Sequence, residues 1–285
     1  MTRRRAVLGG LAAGAAGLAA ALGLRTGPRV PEGTVREVER YGDGQRQDGE
    51  WWVPPGASGR LPTVVLVHGG YWRRGFDRSL EDGVAADLVQ RGHLVWNLDY
   101  RSGGEPWPVT LEDTATAYDL LATGRHADLV DPDRVAVVGH SAGGHLALWL
   151  ASRHRLPTGA PGASPRGPRP ALVVPQAPVA ALVQGARERL GAGAVQAFVG
   201  GEPDEVPERY AVADPLALLP TGVPSVLLHA AGDDTVPLSQ SEGYVEAAQQ
   251  AGDDSRLVVV PGGHFEHLDP ASVAVEELRT ALRRL

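Results

Sequence analysis

The chain has 285 residues, enough for one α/β domain, and its 43% apolar content can fill a core on both faces of a sheet. A net charge of −7, with no basic stripe beyond the first residues, argues against non-specific nucleic-acid binding. The absence of cysteine excludes disulfides, thiolate metal sites, a cysteine nucleophile and a lipoprotein anchor.

In chain order, residues 1–24 stand apart. Met1-Thr2-Arg3-Arg4-Arg5 precedes an Ala-, Gly- and Leu-rich run that ends at Leu24, the pattern of an export signal. Arginines set directly before Ala-Val-Leu-Gly-Gly resemble a twin-arginine signal, and Ala19-Ala20-Ala21 offers a cleavage site. The expectation is an exported, extracytoplasmic or secreted protein that meets the twin-arginine export machinery transiently. An uncleaved signal acting as a membrane anchor is the alternative. Residues 25–34 read as a linker.

From Val35 strands and helices alternate. Val35–Tyr41 and Glu50–Val53 read as opening strands, and the run from Thr63 to Val67 as a strand buried on both faces. The spacing of Leu80, Val84, Ala85, Leu88 and Val89 predicts a helix over Leu80–Arg91. There follow a strand at Leu94–Leu98, a helix at Leu111–Leu121, a strand at Arg134–Val138 and a helix from Ser141 to about Arg153. Residues 156–170, rich in Pro and Gly, read as an exposed excursion. Ala171–Val174 is a strand, and about 179–219 a helical insertion. Val226–His229 and Leu257–Val260 are strands that alternate with helices at Ser239–Ala251 and Ser272–Arg284. This alternation predicts an α/β fold over 35–285, a mostly parallel central sheet with helices on both faces, and functional loops at the carboxyl ends of the strands.

Gly139-His140-Ser141-Ala142-Gly143 is a G-x-S-x-G sequence between a strand and a helix. So tight a turn needs small residues on either side of the serine and pushes its hydroxyl into the open. A serine hydroxyl needs a base. His264, in Pro261-Gly262-Gly263-His264-Phe265 after the last strand, is the candidate, with His267 the nearest competitor. The base needs an anionic partner, and the loop His229-Ala-Ala-Gly-Asp233-Asp234-Thr-Val-Pro237 offers two carboxylates, in the chain order Ser, Asp, His. Gly69 and Gly70, in His68-Gly-Gly-Tyr71-Trp72, together with Ala142 are placed to offer backbone N–H groups to an oxyanion. Tyr71, Trp72 and His140 are the expected substrate contacts. No zinc motif, P-loop or dinucleotide fingerprint occurs, so no metal or cofactor is expected.

The His68–Trp72 run combined with Gly139-His140-Ser141-Ala142-Gly143-Gly144-His145-Leu146 resembles the kynurenine formamidase (arylformamidase) and related esterase branch of the α/β-hydrolases, from about Val35 to the C-terminus. Asp99-Tyr100-Arg101 and Asp233-x-x-Val236-Pro237 are similar to the wider superfamily, whose acid stands three residues before Val-Pro. The resemblance therefore implies Asp233 as the acid. It also implies an α/β-hydrolase fold with the insertion as a lid, and hydrolysis of a carboxylic ester or aryl formamide through an acyl-enzyme. An export signal favours an extracytoplasmic esterase. The competing expectations are a small prolyl-oligopeptidase-like peptidase and a non-catalytic binding protein on the same scaffold.

Overall fold

The computed structural model describes residues 29–164 and 168–285, so the expected export signal lies outside the described residues. Among the described residues eight strands form one sheet: β1 (Val35–Arg40), β2 (Asp48–Val53), β3 (Leu61–Val67), β4 (Leu94–Leu98), β5 (Val130–His140), β6 (Leu172–Gln176), β7 (Ser225–Ala230) and β8 (Ser255–Val260). Their order is β1-β2-β4-β3-β5-β6-β7-β8. β2 lies antiparallel to both β1 and β4, and every pairing from β4 to β8 is parallel.

The parallel strands are joined by α1 (Asp82–Gln90), α2 (Val109–Thr123), α3 (Ala142–Ser152) and α7 (Ser239–Gln250), and the chain closes with α8 (Val273–Leu282). The period of two along β3 divides the core. Val65 and Val67 pack with Trp51, Trp96, Leu111 and Trp149 on the face covered by α2, α3 and α7. Val64 and Leu66 pack with Val84, Leu88, Val275 and Leu278 of α1 and α8 on the other. A strand buried on both sides needs a continuous apolar run rather than an alternating one, as β3, β4 and β7 have.

Between β6 and β7 the insertion carries α4 (Leu182–Arg187), α5 (Leu190–Val199), α6 (Pro207–Ala213) and a 3₁₀ turn over Pro215–Leu218. Three local expectations change. β5 begins at Val130, where Leu61 pairs with Val130 across a register shift, so the strand starts before its apolar run. β8 is the sheet edge, and Val259 is half exposed although its run reads as core. The described part of the Pro/Gly-rich excursion folds back onto α3: the Arg153 guanidinium donates to the Gly162 carbonyl at 2.7 Å, and Gly162 lies against the Trp149 ring. Among the described residues no helix is long and apolar enough to cross a membrane.

Candidate active site

β5 ends at His140 and α3 begins at Ala142, so Ser141 is the turn itself. Its φ of 58° and ψ of −119° lie outside the regions a serine ordinarily adopts, a strain of about 1–3 kcal/mol. The neighbourhood enforces it. A Cβ on Gly143 would overlap the Val67 carbonyl oxygen of the adjacent strand, so only glycine lets α3 start that close to β3. The Ser141 N–H donates to the Gln176 carbonyl at the end of β6 (2.8 Å), and its own carbonyl accepts from His145 (3.2 Å). The side chain sits at the N-terminus of α3, where the helix dipole favours developing negative charge.

The candidate acid and base come from the two adjoining strand ends. The β7 and β8 loops are tied by Ala231 N–H to the Val260 carbonyl (2.8 Å) and Gly232 N–H to the Gly262 carbonyl (2.9 Å). This register sets His264, at the start of a short 3₁₀ turn, against Asp233. His264 Nδ1–H donates to Asp233 Oδ2 at 2.6 Å, which leaves Nε2 for exchange with a hydroxyl. Asp233 Oδ1 accepts from the N–H groups of Thr235 and Val236, both at 2.8 Å. Burial pushes the Asp233 carboxyl up, but hydrogen bonding to His229 and His264 and the Val236 N–H outweigh it and hold the group well below the usual carboxylate range. Asp234 is turned outward and touches the Thr235 hydroxyl (3.1 Å). His267, the competing histidine, is buried with neither ring nitrogen hydrogen-bonded among the described residues, and burial together with His264 and His229 lowers it to about 3. The Ser141 side chain makes no capping hydrogen bond to α3; without substrate, catalytic contacts of a serine are often long or unformed.

The candidate oxyanion loop is equally constrained in position. A Cβ on Gly69 would stand 3.0 Å from Ser141 Cβ, so this backbone passes directly over the serine. Gly70 has φ of 114°, and a Cβ there would overlap the Phe76 ring. Among the described residues the N–H groups of Gly69, Gly70 and Ala142 have no acceptor, leaving all three as donors. His68 anchors the loop: Nδ1–H donates to the Gly69 carbonyl (2.7 Å), Nε2 lies 3.0 Å from Asp99 Oδ1, and the ring stacks on Tyr100 with centroids 4.3 Å apart. The Tyr100 hydroxyl closes the unit by donating to the His68 carbonyl (2.8 Å). Asp99-Tyr100, notable in the sequence only for its family pattern, is thus the buttress of this loop.

At the far end of the Gly69–Trp72 run lies a cavity of about 190 Å³, walled by Tyr71, Trp72, Trp107 and Phe198, with Arg73 and Glu105 also on its lining. Trp72 stacks on Phe198 (4.4 Å) and meets His145 edge-on (5.2 Å), while the Tyr71 hydroxyl donates to the Thr235 carbonyl (2.7 Å). Ser141 and His264 are not on this wall; the Gly69–Trp72 run leads from them to it. His140 departs from the sequence expectation. It is buried and donates Nε2–H to the His264 carbonyl (2.8 Å) instead of facing a substrate, because the elbow turns alternate side chains to opposite sides.

Two residues escaped the sequence reading. His229, fully buried at the end of β7, brings Nε2 within 3.5 Å of Asp233 Oδ2 and within 3.0 Å of the Val236 carbonyl; its place four residues before the acid was the available signal. Phe198, in the insertion, had none, because its partner Trp72 is distant in sequence. Among the described residues no group of three or more His, Cys, Asp or Glu side chains is placed to hold a metal ion.

A family model described as BD-FAE matches residues 50–247. Carboxylesterase NlhH of Mycobacterium tuberculosis is 35% identical over 108 residues, 37% of this chain and 33% of that protein. Isoprenylcysteine alpha-carbonyl methylesterase ICME of Arabidopsis thaliana is 25% identical over 268 residues, 86% of this chain and 60% of that protein. The chain thus spans less than two thirds of either relative. Among solved structures, esterase B from Lactobacillus rhamnosis superposes with a TM-score of 0.77 at 22% identity, covering 90% of this chain and 86% of that one. A likeness at that identity concerns the fold, and the sheet with its two helical layers is the α/β-hydrolase fold.

Proposed function

The chain belongs to the BD-FAE family, and from that premise we propose that it is a serine hydrolase of carboxylic esters acting through an acyl-enzyme. Ser141 Oγ attacks the acyl carbonyl while His264 Nε2 takes its proton. The N–H groups of Gly69, Gly70 and Ala142 receive the oxyanion, and His264 returns the proton to the leaving alcohol. Asp233 keeps the His264 proton on Nδ1 and steadies the imidazolium. Water then enters by the same route to release the acid.

The observation that carries this reading is the 2.6 Å bond from His264 Nδ1 to a buried Asp233 that also accepts two backbone N–H groups, on strand ends that also carry a serine held at positive φ. The esterase names of NlhH, ICME and esterase B agree with it. A second reading, hydrolysis of an aryl formamide, is favoured by the ring-walled cavity beside Trp72. We also propose export, on the strength of Arg3-Arg4-Arg5 and the run behind them; replacing the three arginines by lysine should hold the protein in the cytoplasm.

The test pairs chemistry with a substrate panel. Ser141→Ala should lose labelling by a fluorophosphonate probe and at least about 10³-fold in activity with the fold retained. Labelling that persists in that variant would overturn the assignment. A series of p-nitrophenyl esters, run beside N-formylkynurenine and a chromogenic proline peptide, separates ester from formamide and peptide chemistry.

A further inference from the structure

The imidazole of His140 lies between the nucleophile, the oxyanion loop and the base. It belongs to the residue immediately before Ser141. A Cβ on Gly69 would stand 3.2 Å from its Nδ1 and 2.8 Å from its carbonyl oxygen, so its ring and backbone form the floor beneath the oxyanion loop. Its Nε2–H reaches across 124 residues of sequence to the backbone carbonyl of His264 at 2.8 Å. The two rings stand 4.5 Å apart, with Phe265 and His267 at 6.1 and 5.9 Å on the same side.

We infer that His140 is a positioning residue that couples the serine turn to the base loop, its Nε2–H fixing the backbone from which the His264 imidazole projects. The inference rests on the reading of Ser141 and His264 given above. Packing alone does not account for the imidazole, because a hydrocarbon side chain would fill the same space. What a histidine adds is one N–H aimed at the carbonyl of the residue that bears the base. The base loop is otherwise rich in glycine, with Gly262 at φ of 103°, and so has little stiffness of its own. Burial, and the neighbouring His264 and His267, lower His140 well below the ordinary histidine range, against smaller opposing pulls from its bond to the His264 carbonyl and from Asp233. It therefore stays neutral and adds no positive charge beside His264 when that ring becomes an imidazolium.

The experiment compares three substitutions. His140→Phe keeps a ring and deletes the N–H. His140→Asn carries an amide too short to reach. His140→Gln carries an amide nitrogen the same number of bonds from Cα as histidine Nε2. Steady-state kinetics on one p-nitrophenyl ester, rates of fluorophosphonate labelling and melting temperatures are measured on the full chain. The expected result is a fall in kcat of roughly 10- to 100-fold for Phe and Asn, with KM within about threefold, since a small displacement of the base acts on the chemical step. Labelling rates should fall in parallel, and Gln should recover to within about fivefold of the parent. A folded His140→Phe protein with unchanged kcat overturns the inference, as does a loss confined to KM or a Gln variant as slow as Phe. If Phe does not fold, the Asn–Gln contrast decides in the same way. Labelling that persists in Ser141→Ala strikes at the serine reading itself, whereas a silent Ser141→Ala beside a fully active His140→Phe removes only this inference.

Discussion

Asp233→Asn tests the acid at its most exact point. In the parent, Oδ2 accepts the His264 Nδ1–H at 2.6 Å and Oδ1 accepts two backbone N–H groups at 2.8 Å. The amide oxygen of Asn can keep both backbone bonds, so the loop retains its shape. The amide NH₂ then faces His264 and forces a lone pair onto Nδ1 and the proton onto Nε2, the nitrogen that must receive the serine proton. The expected loss is on the order of 10³- to 10⁴-fold in kcat, roughly 4–5.5 kcal/mol of transition-state stabilisation. Asp234→Asn alters an outward carboxylate that meets only the Thr235 hydroxyl and should cost no more than about threefold. The assay is kcat for both variants on one ester near pH 8, with melting temperatures measured alongside. Acid adds a second readout. Because the folded Asp233 carboxyl lies below its unfolded value, its contribution to stability is complete above that value and is lost as pH falls through the folded one. The Asn protein should therefore lose less stability than the parent below about pH 4. If Asp234→Asn is the more damaging of two folded proteins, the reasoning fails.

Three further outcomes are expected. Glu81 is buried with neither carboxylate oxygen hydrogen-bonded among the described residues, and burial, helped by Asp82, pushes it up to about 8. A raised carboxyl stabilises fully below its unfolded value and loses that contribution as pH rises through the folded one, so the melting-temperature gain of Glu81→Gln over the parent should be larger at pH 8.5 than at pH 5; an equal gain at both would contradict it. Phe198→Ala removes the ring stacked on Trp72 and should move preference toward longer acyl chains by about tenfold in kcat/KM across p-nitrophenyl esters, at a stability cost of about 2 kcal/mol; an unchanged chain-length profile would place the substrate elsewhere. Gly143→Ala sets a methyl into the Val67 carbonyl and should destabilise by more than about 3 kcal/mol or prevent soluble expression, so a well-folded variant would argue against this packing of α3 on β3.

Much of the fold was legible before any coordinates. β3, β4 and β7 are continuous apolar runs bounded by turn residues, and Ser141 stands between a strand and a helix with glycine where only glycine fits. These features are local: a strand's burial period and a turn's steric demand are written into a few consecutive residues. From the residues alone Asp233 and Asp234 remained equal, and only the family pattern separated them.

Tertiary structure decided what depends on direction across distance. The insertion of β4 between β2 and β3, and the exposure of Val259 on the edge strand β8, follow from the order in which crossovers lay strands side by side, which no single run encodes. The choice of Asp233 over Asp234 as His264's partner, and of His264 over His267, rests on a loop register set by the bonds from Ala231 and Gly232 to the β8 end. His140 turned from an expected substrate contact into a donor to the base loop, and His229 and Phe198 joined the site, because side-chain direction at a strand end is set by backbone angles and neighbours far away in the chain. Composition and spacing determine which chemistry the chain carries; the sheet determines which of those groups meet.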